Sequence, residues 1–158
     1  MTKAPIQIRN KVLGGGSPLI TMPFVGKTVE SLVEECRTAL EHQPDLVEWR
    51  ADYFEGIEDP ARALEGLTTL ADGLGGIPLL FTLRSTLEGG AQVLTDETRL
   101  AVIEALVSTG LVSLVDIEAA SPQTLIEPVR ELTRSAGVAL ILSSHDFKTT
   151  PEVDDMVA

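Results

Sequence analysis

Five apolar segments recur along this chain at intervals of roughly thirty residues, each followed by a stretch of helical amphipathic spacing, and this alternation constrains the fold more than any other feature. They cover residues 19–25, 45–50, 78–84, 112–118 and 138–144. A strand wetted on one face alternates apolar and polar side chains, whereas a strand covered on both faces is apolar almost throughout. The second condition is that of a parallel sheet built from βα units.

The intervening stretches carry helix punctuation. Thr28 is placed to cap a first helix, with Val29, Leu32, Val33, Cys36, Ala39 and Leu40 as its apolar face and Pro44 marking its end. Asp59 and Pro60 open a second, carrying Leu64, Leu67, Leu70 and Leu74. A third spans residues 96–109 and stops at Gly110, and a fourth spans 122–136 and stops at Gly137. Ahead of the first strand, Ile6–Ile8 and Lys11–Leu13 read as a short hairpin, and Gly14, Gly15 and Gly16 as a flexible connector. Thr150 and Pro151 read as the cap and first position of a fifth helix.

With 158 residues, 44% of them hydrophobic, the chain can bury one core, and residues 1–158 read as a single domain. Twenty-four acidic against twelve basic side chains leave a formal charge of −12, which argues against nucleic acid as a partner, because a phosphate backbone needs clustered Lys and Arg. No apolar run approaches the ~20 residues that span a bilayer, so no membrane partner is expected. One cysteine, Cys36, can form no internal disulfide, and no basic segment leads into a long apolar run at the N-terminus; the expected compartment is cytoplasmic.

Two architectures fit repeated βα units: a doubly wound open sheet and a (β/α)8 barrel. The first usually shows a glycine-rich turn after its first strand, but here that turn is Phe24-Val25-Gly26-Lys27-Thr28, with no dinucleotide fingerprint. In a barrel the site is built at the carboxyl ends of the strands, and side chains two apart share a face. Those ends are where the charge lies. Glu48 and Arg50 share a face on the second segment, Thr82 and Arg84 on the third, Asp116 and Glu118 on the fourth, and Ser143 and His145 on the fifth; Glu88, Gly89 and Gly90 follow the third.

A structural ring of salt bridges around a barrel mouth would use the same residue types, so no single member identifies a site; the set of four successive strand ends does. His42 sits near a helix C-terminus, where an imidazole suits the dipole, and reads as structural. Cys36 falls on an apolar helical face and reads as a buried thiol. No His, Cys or carboxylate pair has metal-ligand spacing, and neither metal nor cofactor is expected.

At these residues the chain resembles type I 3-dehydroquinate dehydratase: residues 45–52 (Asp-Leu-Val-Glu-Trp-Arg-Ala-Asp), 78–84 with Glu88-Gly89-Gly90, 115–118 (Val-Asp-Ile-Glu), and Ser144-His145-Asp146-Phe147 with Thr150-Pro151 match that family in order and spacing. The resemblance implies a (β/α)8 TIM barrel, represented here by about five βα units and the N-terminal hairpin. It implies conversion of 3-dehydroquinate to 3-dehydroshikimate and water, in the pathway to aromatic amino acids, through a Schiff base on a lysine. His145 matches the proton-moving histidine, Glu88 the residue that orients it, and Glu48, Arg50 and Arg84 those that bind the substrate's hydroxyl groups. The family's Schiff-base lysine matches no position of this chain, since it belongs to a sixth strand; Lys148 lies in the loop after the fifth. The chain is therefore expected to be incomplete as a catalyst, with unpaired strands at both sheet edges and a homodimer as the expected assembly. A non-catalytic fragment or pseudoenzyme that binds a polyhydroxylated carboxylate, or an interaction module, is the alternative. A class I aldolase is a third reading, which the motif match disfavours.

Overall fold

The computed structural model describes residues 5–150 and 152. Strands β1 (Ile6–Ile8) and β2 (Lys11–Leu13) form the expected antiparallel hairpin, with Ile6 opposite Leu13. Five further strands, β3 (Thr21–Phe24), β4 (Leu46–Arg50), β5 (Leu79–Thr82), β6 (Leu114–Glu118) and β7 (Ala139–Ser143), form one parallel sheet in sequential order. Helices α1 (Val29–His42), α2 (Pro60–Gly73), α3 (Asp96–Val107) and α4 (Gln123–Ala136) alternate with them. The architecture is α/β and of TIM-barrel type. Among the described residues the sheet is not closed, and β3 and β7 are its two edges.

Local chemistry fixes most boundaries. Thr28 accepts from the Ser31 backbone N–H while the Ser31 hydroxyl accepts from the Thr28 N–H, a reciprocal cap for α1. Asp59 accepts from Ala61 N–H, with Pro60 at the first helical position of α2. Gly137 ends α4 in the left-handed region, at φ 69°. The first parallel strand is shorter than its apolar segment, spanning Thr21–Phe24. Arg84 lies two residues beyond β5, and α3 ends at Val107. The fifth helix expected at Thr150 and Pro151 falls largely outside the described residues; Thr150 itself is in no regular element.

Strand alternation sorts side chains into two cores. Val47, Trp49, Leu79, Phe81, Val115 and Ile117 face outward and pack with Leu32, Ala63, Leu67, Leu70, Ile103, Leu106 and Val129 of the helices. Trp49 stands edge-on to Phe54 and Phe81, with ring centroids 5.7 and 5.6 Å away. Helix α2 can lie so close to this indole because residue 66 is glycine, where a Cβ would sit 2.8 Å from the ring. The opposite face of the sheet is the barrel lumen, where Leu46, Leu80 and Leu114 meet Ile8 of the hairpin.

Val33 and Leu40, expected on the buried face of α1, are exposed, whereas Leu32, Cys36 and Ala39 are buried. The reason is tertiary: α1 packs chiefly on α2 and, beside the open edge, on β3, and this packing leaves Val33 and Leu40 exposed. Cys36 is buried as expected, and burial followed by the nearby Glu35 charge pushes its thiol up to about 11. His42 lies in the last turn of α1.

Candidate functional site at the carboxyl ends of the strands

The lumen-facing residues form three layers, set by the parallel register. Glu48 pairs in register with Leu80, Arg50 with Thr82, Thr82 with Asp116, Asp116 with Ile141, and Glu118 with Ser143. Side chains two apart share a face, so Leu46, Leu80, Leu114 and Ala139 make the floor. Glu48 is level with that floor, Arg50, Thr82, Asp116 and Ile141 form the middle, and Glu118 and Ser143, with Arg84 two residues beyond Thr82, stand toward the mouth. Polarity rises from the floor to the carboxyl end, as it does where a barrel builds its site.

Arg84 is the hub of the upper layers. Only 6% exposed, it directs Nη1 at Asp116 Oδ1 (2.9 Å), Glu118 Oε1 (3.3 Å) and Ser143 Oγ (2.7 Å). Ser143 in turn donates to Asp116 Oδ1 at 2.9 Å. Glu118 also accepts from Ser85 N–H at 2.9 Å and from Arg99 Nη2, which spans to the Leu83 carbonyl as well. Two guanidiniums and two carboxylates are thus buried together, an arrangement whose desolvation is offset only because each member is multiply bonded.

The two acids respond oppositely to the same burial. Desolvation pushes the Asp116 carboxyl up, outweighing the Arg84 guanidinium and the Ser143 hydroxyl, with the Glu118 and Glu48 charges adding to the rise. For Glu118 burial also acts upward, but the Ser85 N–H and the Arg99 guanidinium overcome it and hold the acid below its ordinary range. Of the two acids, Asp116 is the one that burial leaves harder to ionise.

At the mouth, His145 follows β7 and Glu88 lies in a 3-10 turn (Thr86–Glu88) after β5. One oxygen, Glu88 Oε2, accepts from both the His145 backbone N–H (2.8 Å) and ring Nδ1 (2.9 Å). Because a carboxylate has no proton to offer, Nδ1 is the donor, and in the neutral ring that tautomer leaves the lone pair on Nε2. The ring stacks on Phe147 at 6.4 Å, and Phe147 lies against Gly89, where a Cβ would come within 3.0 Å of it.

Arg50 is held by Asp52 in a two-pronged ion pair, Nε to Oδ1 and Nη2 to Oδ2, both 2.9 Å, which with burial opposing it raises the guanidinium's already high pKa. It also covers the Tyr53 ring at 5.1 Å. Glu48 lies one layer below, close enough for its charge to act on both Arg50 and Asp116. The five residues expected at the site, Glu48, Arg50, Arg84, Glu88 and His145, therefore stand around one mouth.

Among the described residues each rim guanidinium already has a carboxylate partner: Arg50 with Asp52, Arg84 with Asp116 and Glu118, Arg99 with Glu118. Such a rim offers fixed donors and acceptors rather than free positive charge, which suits the hydroxyl groups of a ligand. The Thr82 hydroxyl, fully buried in the middle layer, has no hydrogen-bond partner. The described residues contain no group of three or more His, Cys, Asp and Glu that could hold a metal ion, and no helix among them is long and apolar enough to cross a membrane.

Sequence reasoning missed Arg99 and Asp52. Arg99 was detectable: it occupies the buried stripe of α3 with Val102, Ile103, Leu106 and Val107, an apolar position by spacing. Asp52 gave the weaker signal of an acid two residues beyond Arg50.

A model of the type I 3-dehydroquinase family matches residues 20–158. A 3-dehydroquinate dehydratase of Syntrophotalea carbinolica is 37% identical over 154 residues, covering 98% of this chain and 61% of that relative. One of Geobacillus thermodenitrificans is 37% identical over 159 residues, covering 100% and 62%. Among solved structures, the type I 3-dehydroquinate dehydratase of Clostridium difficile with covalently modified comenic acid superposes with a TM-score of 0.95 at 32% identity, over 99% of this chain and 62% of that one. The enzyme of Geobacillus kaustophilus superposes with a TM-score of 0.93 at 37% identity, over 98% and 60%. The chain spans about three-fifths of the length of these relatives.

Proposed function

This chain belongs to the type I 3-dehydroquinase family, and from that premise we propose that its lumen mouth binds 3-dehydroquinate and supplies the proton-moving half of its dehydration to 3-dehydroshikimate. In that reaction a proton on the carbon beside the ketone and the hydroxyl on the next carbon leave as water, and a carbon–carbon double bond forms. Several groups must grip a polyhydroxylated ring while one moves a proton.

The observation that carries this reading is the geometry at Glu88. One of its oxygens, Oε2, fixes both the backbone and the ring of His145, so that in the neutral ring Nε2 is the atom that can accept a proton, at a mouth that also holds Glu48, Arg50 and Arg84. In this reading His145 moves the proton and Glu88 orients it. Arg50, Arg84 and Glu48 supply the donors and acceptors that position the hydroxyl groups, and Asp116 stands below them. The lumen-facing positions of β4 to β7 include no lysine among the described residues, so the covalent amine of a Schiff-base route is not provided by these strands. The reading is accordingly one of binding and orientation by this chain without the covalent step. The unpaired outer edges of β3 and β7 support association with a second chain, a homodimer in the simplest case, and the expected setting is the cytoplasm.

Titration calorimetry with 3-dehydroquinate, paired with chromatographic detection of 3-dehydroshikimate and borohydride trapping, tests this. Binding is expected in the parent chain, weakened about tenfold or more in Arg50→Ala and retained in His145→Ala. A parent chain that does not bind 3-dehydroquinate overturns the assignment. A borohydride-stable adduct on one of its lysines would overturn the division of labour.

A further inference from the structure

We propose that Asp52 is a positioning residue: its buried carboxylate joins Arg50 to the loop between β5 and α3, and through that loop it sets where Glu88 meets His145. The proposal rests on the reading that Glu88 and His145 act on the ligand, and it adds a residue that touches neither.

Asp52 has no exposed surface and lies in the 3-10 turn (Ala51–Tyr53) that directly follows β4. A buried carboxylate that served only to neutralise Arg50 would need the two guanidinium bonds and nothing more. Here Oδ2 accepts a third, from Ala91 N–H at 3.0 Å. Arg50 Nη2 reaches the same loop from the other side, donating to the Gly89 carbonyl at 3.4 Å. The ion pair therefore grips the loop at residues 89 and 91, immediately after Glu88. Gln92 adds a further tie, its amide donating to the carbonyls of Asp52 and Phe54, both at 2.9 Å.

The segment between these ties has little freedom. Gly90 N–H donates to the Ser85 carbonyl at 2.8 Å, and Glu88 N–H to the same carbonyl at 3.0 Å. A Cβ at residue 90 would lie 2.0 Å from the Arg84 carbonyl oxygen, so only glycine lets the loop close this far onto the end of β5. Glu88 is thus carried on a short turn anchored at Ser85 on one side and at the Asp52–Arg50 pair on the other. Its carboxylate is the group that holds His145, which follows β7 and lies 93 positions from Asp52 in sequence.

Hydrogen exchange and nitrogen-15 NMR of the full chain, without ligand, test the proposal. In Asp52→Asn, which keeps the shape but removes the charge and one acceptor, the Ala91 and His145 backbone amides are expected to exchange about tenfold faster, and the Arg50 Nε–H resonance to lose its protected signature. Leu67→Ala, which truncates the helix-side core, should leave the His145 amide unchanged, because a local opening is insensitive to global stability. If Asp52→Asn does not fold, Gln92→Ala decides: it spares the ion pair, loosens the same joint, and should also accelerate the His145 amide. An unchanged His145 amide in the folded variant, or equal acceleration by Leu67→Ala, overturns the proposal. Because no ligand is used, this result is independent of whether 3-dehydroquinate binds.

Discussion

The two ends of the same strands are built on opposite principles. At their amino ends, Leu46, Leu80 and Leu114 meet Ile8 of the hairpin in a small dry layer, and the hairpin is pinned from outside by Lys11 on Asp45 and by Arg9 on Ser113 and the Leu111 carbonyl. At their carboxyl ends, about one turn of side-chain alternation higher, Arg84, Arg99, Asp116 and Glu118 are as deeply buried but charged. The floor gains stability from removing apolar surface from water, which has no direction. The mouth has only directed bonds to offset desolvation, so it is rigid where fully satisfied and costly where any partner is missing.

The sharpest way to break the contrast is to neutralise Glu118. Glu118→Gln leaves Arg84 and Arg99 buried with one carboxylate fewer, and should cost about 3–5 kcal/mol of unfolding free energy in urea. A loss below about 1 kcal/mol would mean that the cluster behaves as a surface salt bridge. Next in size is the floor. Leu114→Ala should cost about 2–4 kcal/mol through lost transfer energy and a residual cavity, while leaving the amide shifts of Ser85 and His145 in place. Displacement of those shifts would show that floor and mouth are one cooperative layer.

The smallest expected effect is a pH slope, and it separates the two acids of the mouth. The Asp116 pKa is raised on folding, so its contribution is fully present below the unfolded value of about 3.9 and is lost as pH rises through the folded value. The Glu118 pKa is lowered on folding, so its contribution is present above the unfolded value of about 4.3 and is lost as pH falls through the folded one. Asp116→Asn also removes a partner of Arg84, a constant offset; the informative quantity is the slope. Relative to the parent, the stability of Asp116→Asn should improve as pH rises from about 4 to 7. A flat difference over that window would show that folding does not raise the Asp116 carboxyl.

Much of this was legible before any coordinates. Strand and helix order followed from apolar runs and caps, because Thr28, Asp59 and Gly137 act on backbone groups within a few residues of themselves. The rim residues were legible because a period of two assigns Glu48 with Arg50, and Asp116 with Glu118, to one face whatever their neighbours are. The exposure of Val33 and Leu40 was not legible: helical spacing defines an apolar stripe but not how much of it a neighbour covers, and α1 lies beside an open edge. Nor was the burial of Asp52, whose partners Ala91 and Gln92 lie about forty residues away along the chain.

By itself, then, the sequence determined the alternation of elements, the parallel sense of the sheet and the list of groups brought to its carboxyl end, since these depend on local propensity, capping and side-chain period. The tertiary structure alone decided which charges neutralise one another. It joined Arg84 to Asp116 and Glu118, and Arg50 to Asp52, and by hydrogen bonds it set Ser143 on Arg84 and His145 on Glu88. Those choices depend on strand register and loop closure, which bring together groups remote in sequence and remove them from water, where a few tenths of an ångström determine whether a carboxylate is satisfied or stranded.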